Sequence, residues 1–209
     1  MASPPRTAAA DAPGPSGEPL LQFLAVMRRL RAECDWKRGQ THRTLARYLL
    51  EETHETLEAI DTGDVEHLCE ELGDLLLQVY FHAVIAEETG EFTIDDVARG
   101  ITEKMYRRNP HVFGDAPGGD AAAINEVWQQ IKAQEKPRSS VTEGLPPGLP
   151  ALLHADKVLE RMERAAGRAP ELPAGDDLGD RLLALVAEAR ATGADPEQEL
   201  REAVRRLAR

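Results

Sequence analysis

Between Arg47 and Arg99 the chain has no lysine or arginine, yet residues 48–98 hold fifteen carboxylates, running from Glu51 to Asp96. Surface helices ordinarily interleave Glu with Lys at i, i+4, and uncompensated self-repulsion of this size opposes a compact state. Something cationic must offset it, and a divalent metal is the natural candidate. The stretch is helical by pattern. Leu45, Leu49, Thr53, Thr56, Leu57 and Ile60 mark one stripe of a helix ending near Gly63, and a second helix runs from about Val65 to Glu88, closed by Gly90.

At ~100° per residue, Glu52 borders the apolar stripe of the first of these helices, with Glu55 beside it. In the second, Glu71, Asp74, Gln78 and His82 draw one polar line down a helix that is otherwise apolar nearly all round. A buried, unpaired charge is very costly, so that line needs a partner. Antiparallel packing through the turn near Gly63 is expected to bring the two carboxylate pairs together, and four hard oxygen donors select Mg²⁺ or Mn²⁺ over zinc. Two plainer readings compete. The acids coat solvated faces, or they form a di-iron bundle; the latter needs Glu-x-x-His on two helices, and only Glu51 with His54 matches. His54, His67 and His82 read as surface or supporting residues, since Mg²⁺ prefers oxygen.

The rest of the chain is read in the same way. Residues 19–33 form a helix, Cys34 to Gln40 a loop, and Thr93 with Asp96 opens a helix stopping near Asn109 and Pro110. Asp120 caps another that ends before Pro137. The expected organisation is a disordered tail at 1–17, a helical domain at 18–136, a linker at 137–150 and a helical segment at 151–209. Aromatic residues are only 4%, which disfavours an all-β fold and leaves an all-α bundle. A net charge of -12 argues against a general nucleic-acid binder. Two cysteines, Cys34 and Cys69, are too few for a disulfide framework and predict a reducing, cytoplasmic compartment; no apolar run is long enough for a membrane span.

Glu51-Glu52-Thr53-His54-Glu55 followed by Glu71-Leu72-Gly73-Asp74 is the E-E-x-x-E plus E-x-x-D pattern of the all-α nucleoside triphosphate pyrophosphatases. With Trp36, Gln40-Thr41, Arg107-Arg108-Asn109-Pro110-His111-Val112-Phe113 and Val127-Trp128-Gln129-Gln130-Ile131-Lys132, the chain resembles the MazG family strongly over residues 20–136 and moderately from Leu149 to Met162. The resemblance implies a dimeric helical bundle that hydrolyses nucleoside triphosphates to monophosphate and pyrophosphate with Mg²⁺, Mn²⁺ being a possible substitute. It implies metal ligands at Glu52, Glu55, Glu71 and Asp74, and nucleotide or phosphate contacts at Lys104, Arg108, Trp128 and Lys132. Glu51 or Glu52 is then the catalytic carboxylate. Lys104 and Arg108 are spaced i, i+4, as are Trp128 and Lys132, so each pair projects from one helix face. Trp36 reads as a packing residue.

Relatives specific for dUTP or phosphoribosyl-ATP share the metal pattern, and an inactive acidic scaffold is a reading from another class. The segment beyond 150 carries an echo, Asp177-Leu178-Gly179-Asp180, without a Glu-rich partner helix. It resembles the remnant of a second unit, expected either to dock on the first or to remain mobile, and expected to be dispensable. The apolar surface of the helix from Val65, presented on many sides, predicts a homodimer.

Overall fold

The computed structural model describes residues 17–136, 139–173 and 175–208, which form helices and no strand. All of the tail expected at 1–17 except Gly17 lies outside the described residues, as do the first two residues of the expected linker. The chain divides into two compact units between Tyr106 and Arg107.

In the first unit, α1 (Glu18–Glu33), the single turn α2 (Asp35–Arg38), α3 (His42–Thr62) and α4 (Val65–Thr89) precede α5 (Ile94–Arg108), whose last two residues fall in the second unit. Local chemistry sets the ends. Thr41 and Thr44 form a reciprocal cap at the start of α3, Asp64 accepts from the His67 amide at the start of α4, and Thr93 pairs with Asp96 ahead of α5. Gly63 stops α3 at φ 72°, a left-handed conformation that favours glycine, so the chain reverses in two residues and α4 packs back along α3. The core joins Leu24 and Met27 of α1, Leu45 of α3 and Tyr80, Phe81, Val84 and Ile85 of α4.

The charge-rich window is partly neutralised from outside itself. Arg28 and Arg31 of α1 grip Glu87 and Glu88 at the end of α4, with closest approaches of 2.6 and 2.5 Å, and Arg99 pairs with Asp96. Arg31 is buried and also donates to the carbonyls of Lys37, Arg38 and Gln40, which ties α2 down where the sequence suggested only a loop.

In the second unit, α6 (Pro110–Phe113) and α7 (Ala121–Glu135) are followed by α8 (Ala151–Ala166), α9 (Leu178–Thr192) and α10 (Pro196–Leu207). Leu159 and Val186 are buried in it, and Arg190 of α9 bridges Asp156 and Glu163 of α8. Gln129 and Glu126 of α7 reach Glu160 and Arg164 of α8, which explains why the division precedes α7, whereas composition placed a break at 137–150. Arg161 donates to the carbonyls of Val141 and Glu143, so the described part of the expected linker is anchored to α8. The segment beyond 150 thus builds a small core of its own and contacts α7. Asp177 in the echo motif caps α9 by accepting from the Asp180 amide.

Candidate functional site

The α3–α4 hairpin puts Glu52, Glu55 and Glu71 together: each brings one carboxylate oxygen to within 4.8 Å of the others. The hairpin is pinned at this level by Thr56, whose hydroxyl donates to the carbonyl of Glu52 at 2.8 Å and reaches that of Glu71 at 3.5 Å. Glu71 is 7% exposed, Glu52 is half-buried and Glu55 is exposed. Asp74, one turn after Glu71, is half-buried and acts on Glu52 through its charge. Glu51 is exposed on α3.

Burial pushes the Glu52 carboxyl above its ordinary value, and the charges of Asp74, Glu55 and Glu71, with a hydrogen bond to Glu55, push the same way. None of the four carboxylates pairs with a lysine or arginine among the described residues. His67 fills part of that gap, its Nε2 lying 2.9 Å from Oε1 of Glu71. The other oxygen, Oε2 of Glu71, is buried with no hydrogen-bond partner. A buried carboxylate oxygen left without a donor, in a group clustered with two more carboxylates, is costly unless a cation completes it. This set of hard oxygen donors fits a divalent cation of the Mg²⁺ or Mn²⁺ class.

Further along α4 the polar line continues to Gln78 and His82, whose Oε1 and Nε2 are buried without partners. The His82 ring lies parallel to that of His42 within 6°, the two Nδ1 atoms 2.6 Å apart. Burial, and then His42, hold His82 below the usual imidazole range. Trp36 is not packed in the core: it is 53% exposed, edge-on to Tyr48, with the Lys37 ammonium 5.3 Å from its ring centroid.

Among the sequence-predicted nucleotide contacts, Lys104 is half-buried on α5 and makes no ion pair among the described residues. Arg108, Trp128 and Lys132 meet within the second unit. The Arg108 guanidinium lies 5.1 Å and the Lys132 ammonium 4.9 Å from the centroid of Trp128. Glu135, unremarked in the sequence, accepts from both Arg107 and Arg108 at 2.5 Å, and they hold its carboxyl down at about 2. His67 carried a readable signal, being four residues before Glu71; Glu135 carried none, because its partners lie 27 and 28 residues away.

An all-α fold that converges carboxylates from a helical hairpin, with an arginine–tryptophan–lysine cluster in the same chain, defines a class of helical protein with an acidic, cation-fitting site. Comparison with known proteins identifies it further. The model of the MazG nucleotide pyrophosphohydrolase domain matches residues 40–113. The chain is 40% identical over 211 residues to the nucleoside triphosphate pyrophosphohydrolase/pyrophosphatase MazG of Thermotoga maritima, covering 89% of this chain and 81% of that protein. It is 47% identical over 192 residues to an uncharacterized 26.1 kDa protein of Streptomyces cacaoi, covering 90% of this chain and 78% of that one. A solved mazG-related protein from Thermotoga maritima is 24% identical, with a TM-score of 0.47, covering 54% of this chain and 97% of that chain. The chain belongs to the MazG family of nucleotide pyrophosphohydrolases. No helix among the described residues is long and apolar enough to cross a membrane.

Proposed function

We propose that this protein hydrolyses nucleoside triphosphates to the monophosphate and pyrophosphate with Mg²⁺ held by Glu52, Glu55, Glu71 and Asp74. One observation carries the reading: Glu71, whose buried Oε2 has no partner, is clustered with the carboxylates of Glu52 and Glu55. The relative from Thermotoga maritima named for this activity supports it. Bound there, the cation supplies Lewis acidity toward phosphate oxygens and an acidified water.

The chain's own residues divide the remaining tasks. Water adds to the α-phosphorus, the bond from that phosphorus to the bridging oxygen breaks, and pyrophosphate leaves. Glu51, a solvated carboxylate next to the cluster, accepts the proton of the attacking water. Lys104 and Arg108, one turn apart on α5, draw charge from the leaving phosphates. Trp128 and Lys132 contact the nucleotide beside Arg108, Lys132 adding a further positive charge next to the ring.

The enzyme works in this reading as a cytoplasmic homodimer, with residues 18–136 as the catalytic domain. Exposed apolar residues at heptad spacing on α4, Val65, Leu72 and Val79, support a partner helix covering that line. An inactive scaffold would need no metal, so calorimetric titration separates the readings. Mn²⁺ binds saturably to the wild type and not to Glu71→Gln; absence of saturable binding by either protein contradicts the proposal.

A further inference from the structure

Two chemistries lie side by side on α7. One side carries Trp128 with its two cations. The residue before it, Val127, turned ~100° around the helix, lines a separate pocket of about 220 Å³ with Pro110 and His111 of α6, Gly118 and Gly119 of the connecting loop, and Ile124. The walls are almost wholly apolar. The volume is below the roughly 300–1,000 Å³ of sites that enclose drug-sized ligands, so it has room for one planar heterocycle rather than a whole nucleotide.

We propose that this pocket receives the base of the nucleotide. The inference rests on the function proposed above and names the part of the substrate that the carboxylates and cations do not address. A nucleotide is a flat, largely apolar ring joined to a polyanion, and α7 presents a matching pair of surfaces: an apolar recess beside Val127 and the Arg108–Trp128–Lys132 cluster one residue on. The rim is suited to the polar edge of a base. The His111 imidazole makes no hydrogen bond or ion pair among the described residues, and neither do the main-chain groups of Gly118 and Gly119. All three are available to bases of more than one type.

The loop geometry keeps the recess open. A side chain at Gly119 would press on the Cβ of Ala123 at 3.0 Å, so that glycine permits the close approach of loop and helix. At Gly118 an added Cβ meets nothing within 4 Å and the backbone is not left-handed, so a side chain there enters open space without backbone strain. Gly118 lines the recess, so Gly118→Leu is expected to crowd it and to leave the cation cluster in place.

The test uses the full chain carrying Trp36→Phe, which leaves Trp128 as its one tryptophan. Its fluorescence is titrated with adenosine and uridine monophosphates and, separately, with inorganic pyrophosphate. Gly118→Leu is expected to weaken the response to both monophosphates by about tenfold or more and leave the pyrophosphate midpoint unmoved. His111→Ala, which cannot block the recess, is expected to weaken only the monophosphates, by about two- to tenfold. Circular dichroism checks that each variant is folded, and His111→Ala decides the matter if Gly118→Leu is not. Monophosphate midpoints unmoved in both variants, or no saturable monophosphate response at all, overturn the pocket. Triphosphate hydrolysis by the wild type is scored separately, so intact hydrolysis with unmoved midpoints rejects the pocket alone, whereas absent hydrolysis rejects the proposed function.

Discussion

His67 lies one helical turn before Glu71 on α4 and holds its Oε1 through Nε2 at 2.9 Å, while the second oxygen of the same carboxylate is buried and unpartnered. The imidazole orients the carboxylate and leaves one oxygen for a cation. Such supporting contacts contribute about 10–100-fold to metal affinity. His67→Ala is expected to weaken Mn²⁺ binding by that order with helical content unchanged, which calorimetric titration and circular dichroism measure together. Unchanged affinity would show that Glu71 is positioned by the helix alone.

The raised Glu52 carboxyl gives a prediction with a definite sign. The folded state binds a proton there more readily than the unfolded chain, so stability of the metal-free protein falls as pH rises from the ordinary value of 4.5 through the raised one. Glu52→Gln removes that charge. It is expected to melt a few degrees above the wild type at pH 7 without metal, and to lose the upward shift that Mg²⁺ gives the wild type. Thermal melts with and without Mg²⁺ test both halves; a Glu52→Gln protein that melts lower without metal contradicts the electrostatic account.

Arg108 lies over Trp128 and also grips Glu135, whose carboxyl is held at about 2, first by Arg108 and then by Arg107. The stabilisation from Glu135 is present above 4.5 and is lost as pH falls toward about 2. Arg108→Lys keeps a charge but loses the planar fork that serves both contacts. It is expected to raise KM for triphosphate by about tenfold and to raise the Glu135 titration, read by carboxyl NMR. A Glu135 titration that stays near 2 would assign its depression to Arg107.

Ending the chain at Pro150 removes α8, and with it the partners of Glu126 and Gln129 on α7. Isolated helices of about fifteen residues are marginal in water, so α7 is expected to lose protection. Hydrogen exchange at residues 121–135 should quicken by more than about tenfold, while exchange in α3 and α4 stays slow. Unchanged exchange in α7 would support the expectation that the segment beyond 150 is dispensable.

Much of the helical frame was legible because caps and stripes are local. Asp64 and Gly63 between α3 and α4, Gly90, the Thr93–Asp96 pair and Asp120 all mark boundaries within a few residues of the atoms they satisfy. Single turns such as α2 and α6 escaped, since four residues carry no period. Angular reasoning on α3 and α4 brought Glu52, Glu55 and Glu71 to one level, because a two-residue turn leaves little freedom of register. The pairing of Arg28 and Arg31 with Glu87 and Glu88 spans 59 and 57 residues and depends on how α1 lies across the hairpin, which no local signal encodes. Trp36, read as a packing residue, packs edge-on against Tyr48 beside a single turn, and half of it remains in water.

The central claim is that these carboxylates direct water to the α-phosphorus of a nucleoside triphosphate. The most direct measurement incubates the full chain with Mg²⁺ and a panel of triphosphates in water enriched in heavy oxygen, then resolves products and label by mass spectrometry. The account predicts monophosphate and pyrophosphate in equal amounts, the heavy oxygen in the monophosphate, and loss of turnover in Glu52→Gln. Orthophosphate with diphosphate, label in the pyrophosphate, or no turnover by the wild type would contradict it.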